Sequence, residues 1–351
     1  MRFLMSSCFV CLLAGPAGAG GLDLSGQHLD PLLAEGTAFT LQVTSIDPSI
    51  TGRAATGAGS GDSAPRFMTT EITAKTEITP LLHLAALFDE PFGIKTLYSR
   101  AGAYPGRGAG AEIISRAFTL AARYDVTPDI ALIGGIRSQS VSFQAMVPLA
   151  GFYGIRSETH RETGFVAGAA IDLGRSTIAA VYNSAIEYRI PAAETGGAAP
   201  GASMIPVATP QSVNLSVSAE ITPATTLTAR ARWVDWSGFE IAPRNYAITA
   251  GMPLLSYGSD TVTYALDLTH AITDHWSVDA ALTLENATGG AHDLRPVDGY
   301  VALGAGVTWQ RDIWALSGAV HTVQYGDTET GLGRFSGSRA THASVKFGLA
   351  L

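Results

Sequence analysis

Apolar and polar residues alternate one by one along several stretches of this chain. Over residues 211–221 the apolar set is Val213, Leu215, Val217, Ala219 and Ile221, and the polar set is Ser212, Asn214, Ser216, Ser218 and Glu220. A period of two is typical of a β-strand, because successive side chains point to opposite faces of the sheet. The same pattern returns at 262–269 and 276–285. These stretches are predicted to be strands with one apolar and one polar face.

The chain is apolar, yet it contains no apolar run that could cross a membrane as a helix. Hydrophobic residues make up 46% of the sequence and charged residues only 15%. A transmembrane helix needs about 18 consecutive apolar residues, and no stretch after residue 19 reaches that length. In a membrane-spanning β-barrel the lipid-facing residues occupy alternate positions. The sequence therefore favours a transmembrane barrel, and a soluble secreted β-sandwich is the alternative.

Short turn signals return at nearly even intervals. Their central residues are Thr79, Thr127, Gly174, Thr222, Thr273 and Arg311, separated by 48, 47, 48, 51 and 38 residues. Pro, Gly and Asp beside these positions end strands, and each interval holds two strands and one longer loop. Strands are predicted near 37–46, 66–78, 82–95, 112–125, 129–142, 160–173, 176–189, 209–221, 225–239, 258–272, 275–288, 297–309, 312–325 and 338–351. Fourteen antiparallel strands with short turns at one end are typical of an all-β outer-membrane barrel.

Aromatic residues are predicted to mark the two membrane interfaces. Residues close to the tight turns would form the inner girdle, namely Tyr124, Trp276, Trp309 and Trp314. Residues toward the long loops would form the outer girdle, namely Tyr98, Tyr188, Trp236, Tyr257 and Tyr325. Aromatic girdles of this kind flank the apolar band of membrane barrels.

The first nineteen residues have the features of a secretory signal peptide. Arg2 precedes an uncharged run, and the small residues Ala17, Gly18 and Ala19 provide a cleavage site. The expected organisation is a signal peptide at 1–19, a short hatch-like or plug segment at 20–36 and a transmembrane barrel at 37–351. Both cysteines lie in the first of these, so the exported chain is expected to need no disulfide.

Composition and motifs argue against several classes of function. The chain carries 22 basic and 30 acidic residues, a net charge of −8, which makes nucleic acid a poor partner. Neither a phosphate-binding loop nor a dinucleotide fingerprint is found, and no Gly-x-Ser-x-Gly turn or metal-ligand spacing occurs. No enzyme activity, cofactor or metal is predicted.

Three segments resemble the FadL/TodX family of outer-membrane transporters for hydrophobic compounds. They are Arg-Trp-Val-Asp-Trp-Ser-Gly-Phe at 232–239, Thr-Pro-Gln-Ser-Val-Asn-Leu at 209–215 and Leu-Phe-Asp-Glu-Pro-Phe-Gly at 87–93. The resemblance implies a fourteen-stranded barrel, blocked by an N-terminal hatch, that passes fatty acids or aromatic hydrocarbons inward. The segment 20–36 is shorter than the family's usual hatch, which puts the plug in question.

The resemblance also implies a location and partners. We expect passive uptake of long-chain fatty acids or other hydrophobic compounds across the outer membrane of a Gram-negative bacterium. The expected partners are the hydrophobic ligand, outer-membrane lipid and lipopolysaccharide, and a monomer is expected because a closed barrel has no strand edge to pair. The alternative is a surface interaction protein that uses the external loops 47–65 and 190–208.

Candidate transport residues fall into three groups. The resemblance implies a third-strand kink that opens a lateral passage, and its residues would be Phe88, Pro91, Phe92 and Gly93. Pro91 cannot donate to a ladder, although it could simply mark the start of a loop. A hatch would use Leu22, Leu24, Leu29, Leu32 and Leu33, or these would only fill the lumen. Possible head-group cations are Lys75, Arg137, Arg230 and Arg232, and salt-bridged lumen scaffolding is the favoured alternative for them.

Overall fold

The structure is a computed structural model that describes residues 22–351. The predicted signal peptide, residues 1–19, lies outside the described residues. Within 22–351, no helix is long and apolar enough to cross a membrane.

The described chain consists almost entirely of antiparallel strands. In chain order the elements are a 3-10 helix (Asp30–Leu33), β1 (Ala38–Ser49), β2 (Thr51–Arg53), β3 (Gly59–Asp62), β4 (Phe67–Thr79), β5 (Leu82–Asp89), β6 (Gly93–Leu97), β7 (Gly110–Asp125), β8 (Ile130–Val147), β9 (Tyr153–Ser157), β10 (His160–Asp172), β11 (Ser176–Asn183), β12 (Ile186–Thr195), β13 (Gly201–Thr209), β14 (Ser212–Thr222), β15 (Thr225–Val234), β16 (Glu240–Ile241), α1 (Arg244–Ala250), β17 (Leu255–Ser256), β18 (Thr261–Ala271), β19 (Trp276–Glu285), β20 (Tyr300–Arg311), β21 (Trp314–Tyr325), β22 (Thr328–Thr330), β23 (Gly333–Phe335) and β24 (Arg339–Ala350).

These strands close into a barrel, which confirms the predicted fourteen-stranded fold. Around the ring the order is β1, β4, β5 with β6, β7, β8, β10, β11 with β12, β13 with β14, β15, β18, β19, β20, β21 and β24. Closure comes from β1, which pairs with β4 on one side and with β24 on the other. Each of the fourteen wall strands therefore has a neighbour on both sides along at least part of its length.

The six predicted tight turns all join neighbouring barrel strands. Two of them need backbone that L-residues rarely adopt: Gly174 has φ +84° and Asp312 has φ +54°. Glycine tolerates this region freely and Asp tolerates it better than most residues. The turn residues that gave the sequence its regular spacing are therefore the residues that reverse the chain.

Strand alternation separates a lumen face from an outward face. Along β5, the odd-numbered residues from His83 to Asp89 are buried in the lumen, and the even-numbered ones are partly exposed. Outward positions on other strands carry large apolar side chains with high exposure, including Leu132, Ile136 and Leu303 at 53%, 65% and 60%. An exposed apolar face of this extent is what a lipid-facing barrel presents.

The end opposite the tight turns is covered by folded loops. β12 and β13 form a hairpin that also pairs with β9. A separate four-stranded sheet joins β2, β3, β22 and β23. The predicted external loops 47–65 and 190–208 belong largely to these two structures.

Candidate functional site

The third barrel strand is interrupted at Glu90, Pro91 and Phe92, between β5 and β6. Pairing with β7 stops at Asp89↔Ala117 and resumes at Gly93↔Ile114, so four steps on one strand match three on the other. One residue is therefore extra, as in a β-bulge. Pro91 lacks the N–H that a continuous ladder would require.

The interruption leaves part of the barrel wall without a backbone ladder. β4 pairs with β5 as far as Ile72↔Phe88, whereas β6 pairs with β7 alone. The wall closes again where the N–H of Leu97 donates to the carbonyl of Ser63 at 2.8 Å. Within residues 22–351, no backbone pairing joins residues 67–71 of β4 to β6. We call this unpaired stretch the wall window.

The N-terminal segment, residues 22–36, fills part of the interruption from the lumen side. The N–H of Leu24 donates to the carbonyl of Pro91, and the N–H of Gly93 donates to the carbonyl of Leu22, each at 2.8 Å. Backbone groups that lose their ladder partners must find others when they are buried. The segment supplies them, so it is bound directly to the break.

Position 93 has little room for a side chain. A Cβ at Gly93 would lie 2.7 Å from Cδ1 of Leu24 and 3.2 Å from the carbonyl oxygen of Ile113. Both distances are shorter than van der Waals contact, and the second involves backbone. A larger residue at this position would therefore crowd the break between Leu24 and β7.

An apolar pocket lies beside the break. Its wall consists of Leu22, Phe92, Ile113, Ser115, Val141, Phe143, Val207, Thr209, Pro210, Trp236, Phe239 and Ile241. The free space between these side chains is about 10 Å³, roughly the volume that one water needs. A hydrophobic ligand would therefore have to displace side chains in order to bind.

Trp236 is at the centre of the aromatic contacts in this pocket. The centroid of its ring lies 5.6 Å from the ring centroid of Phe92, 5.3 Å from that of Phe239 and 5.2 Å from that of Tyr257. Such edge and tilted contacts add stabilisation beyond burial alone. Phe92 belongs both to the break and to the pocket, so the two features are continuous.

The predicted outer aromatic girdle is wrong for four of its five members. Tyr98, Tyr188, Trp236 and Tyr257 are at most 6% exposed and pack inside the molecule. Near the loops the chain leaves the regular ladder, so alternation no longer predicts which way a side chain points. These aromatics were missed as candidate pocket residues for that reason. The inner residues Tyr124, Trp276 and Trp314 are about half exposed on the outward face.

The predicted hatch leucines are all in the described lumen segment. Leu22 is part of the pocket, and Leu24 contacts the Gly93 position. Leu29 and Leu32 are buried with lumen-facing residues of the wall, and Leu33 packs against that cluster. Among the predicted kink residues, Phe88 does not face the lumen. It lies on the outward face, in register with Phe118.

Two of the predicted cations hold the N-terminal segment through ion pairs. Nε of Arg232 lies 2.5 Å from Oδ2 of Asp23, and Nε of Arg230 lies 2.9 Å from Oδ2 of Asp30. Arg230 also pairs with Asp267. The structure therefore brings these arginines to acids, as the scaffolding alternative expects.

The other two predicted cations bind neutral oxygens. Lys75 donates from Nζ to the carbonyl of Ala34. Arg137 donates from Nε to Thr119 at 2.8 Å and from Nη1 to Oδ1 of Asn183 at 2.9 Å. Within residues 22–351, Arg137 has no carboxylate within ion-pair distance.

His28 and Asp30 in the segment titrate abnormally. Burial lowers the pKa of His28 to about 4; Asp30 opposes this change, and Arg230 and Arg232 add to it. Burial alone would raise the pKa of Asp30, but Arg230 and His28 hold that pKa below its ordinary value. At neutral pH the segment therefore carries a neutral imidazole beside an ionised carboxylate.

Solved structures with the same architecture are known. A FadL homologue from Pseudomonas aeruginosa matches with a TM-score of 0.73 at 15% identity, over 90% of this chain and 91% of that one. The toluene transporter TodX of Pseudomonas putida matches at 0.66 and 11% identity, over 90% of both chains. The chain has the fold of FadL and TodX.

The fold that the three sequence segments implied is thereby confirmed. The Ralstonia pickettii toluene transporter TbuX shares this FadL and TodX fold, with a TM-score of 0.67 at 12% identity over 96% of this chain and 97% of that one. No protein-family model and no curated protein matches the sequence.

Proposed function

We propose that this barrel is an outer-membrane channel for the passive uptake of hydrophobic compounds, in the class of long-chain fatty acids and aromatic hydrocarbons. The observation that carries the proposal is the continuity between the apolar pocket and the wall window through Phe92. An apolar pocket beside an unpaired stretch of barrel wall would give a hydrophobic molecule a route that avoids water.

The outer membrane of a Gram-negative bacterium is the location that suits this barrel. Its outward face is apolar over the middle of the strands, and Trp276 and Trp314 lie outward near the tight turns. The solved structures of this fold include toluene transporters, which supports the transport role over an enzymatic one. We propose that the barrel acts as a monomer in contact with outer-membrane lipid and lipopolysaccharide.

The N-terminal segment would act as the hatch of the channel. Leu22 and Leu24 contact the pocket and the break, and Asp23 and Asp30 bind the wall through Arg232 and Arg230. A ligand from outside would displace the leucines from the pocket and leave sideways through the wall window. The domain organisation then follows as signal peptide 1–19, hatch 20–36 and barrel 37–351.

Transport through this route requires no energy source in the protein. The ligand would move down its own concentration gradient, because burial of its apolar surface in the pocket and then in lipid is favourable at each step. We therefore propose that neither a nucleotide nor a cofactor takes part.

The surface-interaction alternative has less support. The hairpin within 190–208 contributes Ile190, Ile205 and Val207 to the buried apolar cluster rather than displaying a free loop. Part of 47–65 is bound in the four-stranded outer sheet. The 190–208 loop therefore packs against the pocket, where Val207 is a lining residue, and this placement supports a role in transport.

Uptake by whole cells tests the proposal. The chain would be expressed in a Gram-negative host without its own fatty-acid transporter, and uptake of labelled oleate and labelled toluene would be measured at equal surface levels. We expect the parent to raise uptake of at least one compound, and Gly93→Val to abolish most of that increase. Gly134→Val is the matched control, because a Cβ at Gly134 meets nothing within 4 Å.

The outcomes separate the two parts of the proposal. Equal uptake by the Gly93→Val and Gly134→Val variants would exclude the lateral exit but keep transport. If the folded parent raises uptake of neither oleate nor toluene, transport of fatty acids and of aromatic hydrocarbons is excluded.

A further inference from the structure

A row of three lumen residues, two of them polar, lies next to the apolar pocket on the side of the tight turns. Asp89 is in register with Ala117, and Ala117 is in register with Gln139, so the three residues form one row across the third, fourth and fifth strands. Ser115 and Val141 of the pocket are each two residues further along the same strands. Residues two apart on a strand share a face and are about 7 Å apart. The row is therefore the floor of the pocket.

The floor contains polar atoms that have no partner. Gln139 is 0% exposed, and within residues 22–351 neither its Oε1 nor its Nε2 has a hydrogen-bond partner. The same holds for Oδ1 of Asp89, which is 6% exposed. A buried donor or acceptor without a partner is destabilising, so a ligand that supplies the partner gains affinity. The floor thus offers one amide donor and two oxygen acceptors to a bound group.

Ala117 contributes only a methyl group between the two outer members of the row. Across two neighbouring strands the separation of Asp89 and Gln139 is about 10 Å between Cα atoms. Ala117 is the residue between them, and it is buried on the lumen face. A small head group that enters from the pocket can therefore reach both side chains.

The charges around the floor include no excess of cations. Asp89 interacts electrostatically with Arg137 and Arg232, and with the like charge of Asp23. Two cations thus face two acids, and Glu162, in register with Gln139, adds a further carboxylate. A ligand carboxylate placed here would add one more negative charge close to Asp89. Two like charges at close range in a buried site repel each other, and this repulsion lowers the affinity for a charged ligand.

We propose that the row Asp89, Ala117 and Gln139 is a head-group site for an uncharged hydroxyl, so that the preferred ligands are hydrophobic hydroxyl compounds such as alkylphenols. This inference rests on the proposed function and assigns its ligand class. The hydroxyl donates to Oδ1 of Asp89 or Oε1 of Gln139 and accepts from Nε2 of Gln139. The alkyl body occupies the apolar pocket beside Phe92 and Trp236.

Three ligands with one common body test the proposal. They are 4-butylphenol, 4-butylbenzoate and butylbenzene, measured at pH 7.5 by scintillation proximity with labelled ligand on the full barrel in lipid nanodiscs. We expect the phenol to bind about tenfold more tightly than butylbenzene, the effect of one or two net hydrogen bonds. The benzoate should bind more weakly than both.

Isosteric variants then locate the site. Asp89→Asn removes the opposing charge and should improve benzoate affinity about tenfold, since that corresponds to about 1.4 kcal/mol, with little change for butylbenzene. Asp279→Asn is the matched control: it makes the same charge change in a different part of the lumen and should leave all three affinities within about twofold. Gln139→Leu should abolish the preference for phenol while keeping butylbenzene binding.

Each contrary result has a distinct meaning. If the parent binds the benzoate as tightly as the phenol, or if Asp279→Asn acts like Asp89→Asn, the head-group site is wrong although the channel stands. If the folded parent binds none of the three compounds, the proposed function itself fails. Heat-modifiable migration on gels would verify that each variant is folded.

Discussion

The lumen has two sides that differ in their lining and in their strand pairing. The pocket side, from β4 to β15, contains the broken third strand, the bound N-terminal segment and the apolar pocket. The ladder side, from β18 to β21 with β24, pairs without a register shift. Its lumen face carries Asp267, Asp279 and His321 beside Gly304 and Gly306.

This difference separates two tasks within one ring. A continuous ladder satisfies every backbone group by itself and can hold the barrel closed. A broken ladder leaves backbone groups that a separate segment can bind, as residues 22–24 do at the break. One side of the barrel can lack part of its backbone ladder because the ladder of the other side is continuous. Substitutions placed on each side in turn can show whether the two sides are independent.

The largest effect is expected from Arg232→Met on the pocket side. The substitution leaves Asp23, only 3% exposed, without its ion-pair partner, and breaking a buried pair costs about 3–5 kcal/mol. We expect the N-terminal segment to leave the wall, and hydrogen exchange of residues 22–30 to accelerate by at least about 100-fold.

Arg311→Met is the matched control on the ladder side. Arg311 pairs with Asp312 at the surface, where both side chains are largely exposed, and such pairs contribute about 0–1 kcal/mol. Exchange in residues 22–30 should not change. If hydrogen exchange of residues 22–30 accelerates equally in both variants, the segment responds to changes anywhere in the barrel. The two sides would then not be independent.

A smaller effect is expected from Trp236→Ala. The substitution removes the central ring of the pocket, and the apolar surface that a ligand can then no longer bury corresponds to about 1.5–3 kcal/mol. Affinity for butylbenzene should fall about 10- to 100-fold. Trp276→Ala, at an outward residue that is 47% exposed, should leave affinity unchanged; a similar fall there would place the ligand elsewhere.

The fold could be predicted from sequence because both of its signals are local. Alternation assigns the two faces, and residues such as Gly174 that must reverse the chain recur once per pair of strands. Pro91 could also be singled out, since a missing N–H breaks a ladder wherever it occurs. These features depend on residues close together in the chain.

The pocket could not be predicted in the same way. Trp236 leaves the regular ladder after β15, and the hairpin that carries Tyr188 bends over the lumen, so alternation assigned both to the wrong surface. The floor row brings Asp89 and Gln139 together through register across two strand pairs. Register depends on pairing between distant segments, which alternation within one strand does not fix.

Gly304→Ala tests the ladder side directly. A Cβ at Gly304 would overlap the imidazole of His321, and overpacking of this kind costs about 1–3 kcal/mol. We expect a lower thermal midpoint of the barrel with unchanged uptake per folded molecule. Gly318→Ala, where a Cβ meets nothing within 4 Å, should change neither. Reduced uptake by folded Gly304→Ala would show that the ladder side takes part in transport.

The smallest effect is the pH dependence of the N-terminal segment. Burial, the largest cause, lowers the pKa of His28 to about 4 from 6.5, so the bound segment prefers the neutral imidazole. The free segment takes up a proton below about pH 6.5, so binding to the wall is strongest above that pH and weakens as pH falls toward 4. Asp30, which faces His28 together with Arg230, Arg232 and Asp23, has a lowered pKa and stays ionised in this range.

Hydrogen exchange of residues 22–30, corrected for its intrinsic rate, should be faster at pH 5 than at pH 7, and His28→Gln should remove the difference. If the His28→Gln variant keeps the same difference in exchange rate between pH 5 and pH 7, another group causes that difference. His28 is then not the group through which pH controls binding of the segment.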